Sequence, residues 1–213
     1  MYKAIIFDLG RVLVHFDFKH GYRALEGLCP YPAAEIPKRI GATGLVEQFE
    51  TGLIQPRDFV AQLSAALQLQ VTYEDFCRIW SSIFRETLLP DEMVAGLAAR
   101  YRLLLLSNTN AIHFDMVREN YPILRHFHDL VLSYEVRAMK PRPEIYQRAL
   151  ELAGCLPQEC FYTDDILEYV EAARRCGIDA VQFQTAAQIA SELEARGITW
   201  QAEKNRAPGE NAR

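Results

Sequence analysis

The chain of 213 residues contains five short apolar runs that are separated by longer segments with helical periodicity. The runs lie at residues 3–7, 101–106, 130–132, 161–163 and 180–183. Unbroken apolar runs of this length predict strands that are buried on both faces, as in a parallel sheet. Because strands that alternate with helices form βαβ units, the sequence predicts an α/β fold with a doubly wound parallel sheet.

Three of the intervening segments carry clear helix signals. Residues 143–153 begin with a proline and have apolar side chains at helical spacing. Residues 167–175 end shortly before Gly177, and residues 186–196 end at Gly197. A glycine in these positions is typical of a helix C-cap. We therefore expect a helix in each segment.

The segment between residues 18 and 88 breaks the alternation of strand and helix. Helical patterns follow one another there, with prolines and glycines between them and no buried-strand run; they lie at residues 18–28, 33–40, 56–67 and 73–82. We expect a small helical bundle inserted after the first strand. The expected organisation is a core of residues 1–16 and 89–200, a helical cap of residues 17–88 and a disordered polar tail of residues 201–213.

Charge and cysteine content narrow the class of protein. The formal net charge of -5 argues against a nucleic-acid partner. The five cysteines form no C-x-x-C pair, which favours reduced thiols in the cytoplasm. No apolar stretch is long enough to span a bilayer, and the chain begins with a strand rather than a signal peptide. We expect a cytoplasmic monomer or homodimer with a small-molecule substrate and no membrane partner.

Polar side chains follow three of the predicted strands and precede one helix. They are Asp8, Ser107, Asn108, Lys140, Asp164 and Asp165. Because the carboxyl ends of parallel strands meet at one edge of a sheet, these residues are expected to lie together. Three carboxylates at one point repel one another and require a cation. Oxygen ligands favour Mg²⁺, which also binds substrate phosphate.

This set of residues suits phosphoryl transfer. Asp8 would attack phosphorus and form an aspartyl-phosphate. The side chains of Ser107 and Lys140, with the backbone N–H of Asn108, would hold the outer oxygens of the phosphate. Each residue alone has an ordinary explanation as a cap or a surface group. Their occurrence in order at predicted strand ends is what indicates a site.

Four segments resemble the motifs of the haloacid dehalogenase superfamily, namely residues 8–13, 106–109, 140–141 and 162–165. The resemblance extends over about residues 1–197 and includes a cap segment at residues 49–54. Residues 107–113, with Tyr121 and Pro122, resemble the bacterial α-glucose-1-phosphate phosphatase branch, which also has glycine at the position of Gly10. The resemblance implies a Rossmann-like core with a helical cap after the first strand.

The resemblance also implies a role for each site residue. Asp8 is expected to be the nucleophile and the first metal ligand. The carbonyl of Gly10 is expected to be the second ligand and Asp165 the third, with Asp164 beside it. Ser107, Asn108 and Lys140 are expected to bind phosphate. The implied function is a Mg²⁺-dependent phosphatase that hydrolyses a small metabolite, such as an anomeric sugar phosphate.

Gly10 departs from the common motif, which has a second aspartate as general acid. General acid–base catalysis is typically worth about 10²–10⁴ in rate. The leaving group could depart unaided, as an anomeric or enol oxygen does, or His15, Asp17 or His113 could substitute for the acid. The third explanation for glycine at this position is that the protein turns over slowly.

Two further residues depart from the family pattern. Arg11 stands where glycine or asparagine is common, and it is either a solvated loop residue or a contact for a second anionic group of the substrate. Tyr169 stands where relatives have asparagine or aspartate near the metal. The loss of such a partner can weaken metal affinity by about 10–100-fold.

Two other functions remain open at this stage. In a metal-independent 2-haloacid dehalogenase, Asp8 would attack carbon and no general acid would be needed, which suits Gly10. The acidic pair Asp164 and Asp165 suits that chemistry less well. The other possibility is a non-catalytic scaffold on a phosphatase fold, although the retained polar residues argue against it.

Overall fold

A five-stranded parallel sheet lies at the centre of the computed structural model, which describes residues 1–201. In chain order the strands are β1 (Ala4–Phe7), β2 (Val14–Phe16), β3 (Phe84–Thr87), β4 (Arg102–Ser107), β5 (Asp129–Leu132), β6 (Cys160–Asp164) and β7 (Asp179–Gln182). The sheet order is β5-β4-β1-β6-β7, and every neighbouring pair in it is parallel. The α/β fold predicted from the apolar runs is confirmed.

Eleven α-helices connect the strands within the described part of the chain. They are α1 (Phe18–Glu26), α2 (Ile36–Thr43), α3 (Leu45–Glu50), α4 (Pro56–Leu67), α5 (Tyr73–Ser81), α6 (Asp91–Ala98), α7 (Ala111–Asn120), α8 (Ser133–Val136), α9 (Pro143–Ala153), α10 (Leu167–Arg175) and α11 (Ala186–Ala195). The three helices predicted in the second half of the chain correspond to α9, α10 and α11. The first two have the expected bounds, and α11 is one residue shorter.

The sheet is buried on both faces because its strands are apolar at successive positions. Ile5 and Phe7 of β1 belong to one hydrophobic cluster, which includes side chains of α6, α7 and α11. Ala4 and Ile6 point to the other face and pack with side chains of α9 and α10. Helices therefore cover both faces, and the functional groups are left at the carboxyl edge of the sheet.

The inserted segment forms five helices, α1 to α5, around a hydrophobic cluster of its own. Phe49, Phe59 and Phe76 are fully buried in it, and Phe59 stacks on Phe49 with ring centroids 4.3 Å apart. The prediction missed α3, because six residues are too few to display a helical period. Predicted helix 33–40 was misplaced, since α2 covers Ile36–Thr43.

A two-stranded antiparallel sheet joins the two ends of the insertion. It pairs β2 with β3, with Val14 opposite Thr87 and Phe16 opposite Phe84. The sequence shows no buried-strand run in this part of the chain, and Phe84–Thr87 forms a strand that is not buried. Three of these four residues are exposed, so the strand lacks the apolar pattern of the central sheet.

Two expectations about the whole chain concern the tail and the membrane. Of the tail predicted at residues 201–213, only Gln201 falls within the described part, where its carbonyl accepts a hydrogen bond from Arg100. The remainder lies outside the described residues. Among the helices of residues 1–201, none has the length and apolar character needed to cross a bilayer.

Candidate active site

Asp8 lies immediately beyond β1, the central strand of the sheet. Its backbone N–H donates to the carbonyl of Thr163 on β6, which fixes it at the carboxyl edge. The residue is only 7% exposed. A carboxylate in this position is shielded from water and depends on neighbouring charges.

Lys140 supplies the nearest opposite charge. Its Nζ donates to Oδ1 of Asp8 at 2.6 Å, to Oδ2 of Asp164 at 2.6 Å and to the carbonyl of Leu106 at 3.1 Å. Burial alone would lower the pKa of Lys140, but the charges of Asp164 and Asp8 outweigh it and raise that pKa. Lys140 is therefore an ammonium ion that holds two carboxylates together.

A third carboxylate completes the acidic cluster. Oxygen atoms of Asp8, Asp164 and Asp165 lie within 4.8 Å of one another. Burial raises the pKa of Asp8, Lys140 opposes that rise and Asp164 adds to it. Burial also raises the pKa of Asp165, with a further contribution from Asp164. Three carboxylates outnumber the Lys140 ammonium and the more distant Arg11 guanidinium, so this oxygen donor set fits a divalent cation.

The two adjacent aspartates have different surroundings. Asp164 is fully buried, and its oxygens accept hydrogen bonds from Lys140, from the hydroxyl of Tyr162 and from the backbone N–H of Ile166. Asp165 instead lines the cavity in front of Asp8. This arrangement leaves Asp165 free to face a ligand, while Asp164 holds the internal hydrogen bonds.

The side chain of Asn108 fixes the backbone of Lys140. Its Oδ1 accepts from the Lys140 N–H at 2.8 Å, and its Nδ2 donates to the Lys140 carbonyl at 3.0 Å. The sequence predicts only a phosphate contact for Asn108, and no local pattern reveals this clamp because the two residues are 32 positions apart. Ser107 is buried at the end of β4, with its hydroxyl 3.5 Å from the carbonyl of Asn108.

A cavity of about 270 Å³ opens in front of Asp8. Asp8, Asn108, Lys140 and Asp165 contribute its polar groups, together with Gly10, Arg11 and Tyr169, and Phe16, Phe18 and Ile166 complete the lining. The structure thus brings together most of the residues predicted from strand ends. Phe16 and Phe18 are not among the predicted site residues, although both are aromatic and follow the first strand closely.

His113 lies outside that cavity, at the contact between cap and core. It is buried, and its Nε2 lies 3.0 Å from the carbonyl of Trp80 on α5. Its Nδ1 lies 3.1 Å from Nδ2 of Asn110. Burial lowers the pKa of His113 to about 4. The ring is therefore neutral near pH 7 and hydrogen-bonded on both nitrogens.

His15 and Asp17 also lie outside the lining of the Asp8 cavity. His15 is on β2, with its Nδ1 3.6 Å from Oε1 of Glu86. Asp17 caps α1, since its Oδ1 accepts from the backbone N–H of Lys19 at 2.9 Å. The structure therefore places none of the three suggested substitute acids in the cavity that contains Asp8.

Arg11 and Tyr169 both line the cavity. The Nη1 of Arg11 lies 3.9 Å from Oδ2 of Asp165, and its guanidinium is 5.0 Å from the ring centroid of Phe16. The ring of Tyr169 lies 5.1 Å from Nζ of Lys140. Tyr169 therefore packs beside the ammonium ion that holds the two buried carboxylates.

The sequence comparisons agree with this geometry. The sequence profile described as haloacid dehalogenase-like hydrolase matches residues 2–177. The chain belongs to this family. It is 28% identical over 200 residues to a D-ribitol-5-phosphate phosphatase from Bacteroides thetaiotaomicron, which covers 91% of this chain and 97% of that protein. It is also 29% identical over 185 residues to phosphatase MT3486 from Mycobacterium tuberculosis, which covers 83% and 85%.

A solved structure of similar fold supports the metal assignment. The crystal structure of a HAD family enzyme from Bacteroides thetaiotaomicron, in complex with magnesium and inorganic phosphate, matches with a TM-score of 0.78 and 28% identity. The match covers 87% of this chain and 96% of that one. The family, these relatives and the acidic cluster together show that the chain is a magnesium-dependent phosphatase that acts on a phosphorylated small molecule.

Proposed function

We propose that this phosphatase hydrolyses a sugar phosphate whose leaving oxygen departs without protonation by a side chain, such as an anomeric phosphate. The observation that carries the proposal is the combination at one cavity of Asp8, Lys140 and Asp165 with Gly10, which offers no acid. The resemblance to the α-glucose-1-phosphate phosphatase branch also supports it, and so does the sugar-alcohol phosphate in the name of the Bacteroides relative.

Asp8 acts as the nucleophile in this proposal. Its carboxylate oxygen attacks phosphorus, the bond from phosphorus to the leaving oxygen breaks, and an aspartyl-phosphate forms. Lys140 holds Asp8 in place through Oδ1 at 2.6 Å and offsets part of the charge that gathers there. The departed oxygen takes up a proton from solvent. Water then attacks phosphorus, which releases inorganic phosphate and regenerates the carboxylate.

The metal ligands in this proposal are Asp8, the carbonyl of Gly10 and Asp165, with Asp164 beside them. Magnesium, when bound, supplies positive charge that neutralises the phosphoryl oxygens and the carboxylates. Asp164 holds Lys140 in place from the buried side, and Asn108 fixes the Lys140 backbone. Ser107 and Lys140, with the backbone of Asn108, are the proposed phosphate contacts.

The chemical class of the leaving group is inferred from the cavity wall near Gly10. A general acid would have to donate a proton within hydrogen-bond reach of the leaving oxygen. Gly10 has no side chain, and Phe16 stands where one would project. An anomeric oxygen is a better leaving group than an ordinary alkoxide, so its esters are the substrates that need the least help.

Phosphate release in the presence of Mg²⁺ tests the reaction. The panel contains α-glucose 1-phosphate, glucose 6-phosphate, ribitol 5-phosphate and aryl phosphates of graded leaving-group pKa. Asp8→Asn is expected to abolish release, whereas Asp58→Asn, the same change at an exposed position on α4, is expected to retain it. Activity of Asp8→Asn equal to that of the wild type would overturn the assignment of the nucleophile.

The aryl series separates unaided departure from acid catalysis. Without a general acid, kcat/KM should fall steeply as the pKa of the leaving phenol rises, because charge accumulates on the leaving oxygen. A flat dependence would show that some group donates a proton, and it would overturn the proposal that the leaving group departs unaided.

The two other functions considered from the sequence predict different outcomes. A 2-haloacid dehalogenase would release chloride without added metal, yet three carboxylates within 4.8 Å are poorly suited to a metal-free anionic substrate. A scaffold would release no phosphate from any member of the panel and would gain no thermal stability from Mg²⁺.

A further inference from the structure

A second cavity lies beside the Asp8 cavity, between the first helices of the cap and the loop after β1. Its volume is about 560 Å³. Arg11 and Phe18 line both cavities, so the two are adjacent and share this part of their walls. A substrate with its phosphoryl group at Asp8 could extend past Arg11 into the second space.

Three cationic side chains line the second cavity. They belong to Arg11, Lys19 and Arg23. Lys19 and Arg23 are four residues apart on α1 and therefore share one face of that helix. Within residues 1–201, neither of them has a carboxylate partner within 4.0 Å.

Asp17 is the acidic residue in the lining, and its single charge offsets only part of the charge of these cations. Its Oδ1 accepts from the backbone N–H of Lys19 and caps α1, which uses the carboxylate for the helix end. Asp165 lies 3.9 Å from Arg11, so Asp17 and Asp165 together face three cations, and the cavity keeps a net positive charge. The positive end of the α1 dipole adds to this potential.

Arg11 occupies the junction in an unusual backbone conformation. Its φ is +57°, in the left-handed region that is unfavourable by about 1–2 kcal/mol for an L-residue. The guanidinium packs against Phe16 and lies 3.9 Å from Asp165. The loop thus holds a charged side chain at the boundary between the catalytic cavity and the positive one.

We propose that the substrate carries a second anionic group, a carboxylate or a further phosphate, which binds in the second cavity between Arg11, Lys19 and Arg23. This inference rests on the proposed function, because it places the scissile phosphoryl group at Asp8. The substrate class is then a phosphate ester of an acidic sugar or of a sugar that is already phosphorylated elsewhere. Guanidinium and ammonium groups both bind such oxyanions through charge-assisted hydrogen bonds.

Three substrates that differ at a single carbon test the proposal. They are α-glucose 1-phosphate, α-glucuronic acid 1-phosphate and α-glucose 1,6-bisphosphate. One or both of the esters with a second anionic group should have a kcat/KM about tenfold or more above that of α-glucose 1-phosphate at low ionic strength. Salt should reduce this advantage. The ester that gains identifies the second group as carboxylate or phosphate.

Variants locate the effect within the cavity. Lys19→Gln and Arg23→Gln should each reduce the advantage by about threefold to tenfold. Lys38→Gln removes an exposed charge of the cap outside the lining and should leave the advantage unchanged. Equal kcat/KM for all three esters, or equal effects of the three variants, would overturn the proposal.

Binding to an inactive protein separates this inference from the proposed function. Asp8→Asn, with Mg²⁺ present, is titrated calorimetrically with the same three esters. If an ester with a second anionic group binds more tightly but the wild type does not hydrolyse it, the second site is supported and the proposed reaction is overturned. Turnover with no difference in binding or kcat/KM would overturn the second site alone.

Discussion

The ring of Phe16 occupies the space that a side chain on Gly10 would need. A Cβ on Gly10 would lie 2.5 Å from Cε1 of Phe16 and 3.1 Å from Cδ1. Phe16 is held in turn by edge contacts with Phe18 and Phe84, at centroid separations of 4.9 Å and 6.3 Å. Residue 10 therefore has no side chain that could donate a proton, and the aromatic ring of Phe16 fills the space beside it.

An aspartate introduced at residue 10 is not expected to act as a general acid while Phe16 is in place. Gly10→Asp should lower the free energy of unfolding by about 1–3 kcal/mol, because the Phe16 ring must move. It should not raise kcat for alkyl phosphates. In a Phe16→Ala background, Gly10→Asp should cost less stability than it does in the wild type, because the ring that meets the new side chain is gone. Urea denaturation and phosphate release measure both effects. Gly41→Asp, where a Cβ meets no atom beyond its own helix within 4 Å, is the control. A faster Gly10→Asp single variant would contradict this prediction.

Removing the ammonium group of Lys140 should destabilise the folded protein. Lys140→Met leaves the buried carboxylates of Asp8 and Asp164 facing each other, and loss of one partner of a buried ion pair costs about 3–5 kcal/mol. Because the remaining cluster is more negative, Mg²⁺ should raise the Tm of the variant more than that of the wild type. Thermal unfolding with and without Mg²⁺ measures this, with exposed Lys38→Met as control. An unchanged Tm for Lys140→Met would count against the ion pair.

Loss of the Asn108 side chain should release the backbone that carries Lys140. Asn108→Ala removes two hydrogen bonds, at 2.8 Å and 3.0 Å, which are together worth about 1–3 kcal/mol. We expect kcat/KM to fall by about tenfold or more as Lys140 loses its fixed position. Asn120→Ala removes a comparable hydrogen bond from an exposed side chain to the Met116 carbonyl and serves as control. Equal kcat/KM values for the two variants would contradict a positioning role.

The parts of the fold and the site that local pattern determines could be predicted from the sequence. β1 and β4 are continuous apolar runs, and a polar residue directly after each run predicts its position at the sheet edge. The closeness of Lys140 to Asp8 could be predicted, because parallel topology brings strand ends together. The clusters on both faces of the sheet follow from the same apolar runs.

The remaining features depend on contacts between distant segments that carry no local pattern. The position of Phe16 is set by the pairing of β2 with β3, and the two strands are separated by the whole cap. The partner of the Asn108 side chain is a backbone 32 residues away. Likewise, His113 becomes a buried, neutral residue only because α5 packs over it and presents the carbonyl of Trp80.

Burial of His113 should make stability depend on pH. Its pKa is lowered from the ordinary 6.5 to about 4, first by desolvation and against the hydrogen bond to Trp80. Between these values the unfolded chain binds a proton that the folded protein does not bind, so the free energy of unfolding falls as pH falls. The loss should approach about 3 kcal/mol near pH 4. His113→Gln, which stays uncharged, should lose less stability over the same range.

Urea denaturation of wild type and His113→Gln at about pH 7, 5.5 and 4.5 measures the difference. Burial raises the pKa of Asp8 and of Glu50, so these carboxyl groups contribute the opposite sign, with stability gained as pH falls. They are present in both proteins and cancel when the two curves are subtracted. His126→Gln, which changes a histidine beside Asp91 at the surface, controls for loss of an imidazole. If His113 is the group responsible, the two stability curves diverge as pH falls. Parallel curves for wild type and His113→Gln would show that the pH dependence comes from other residues.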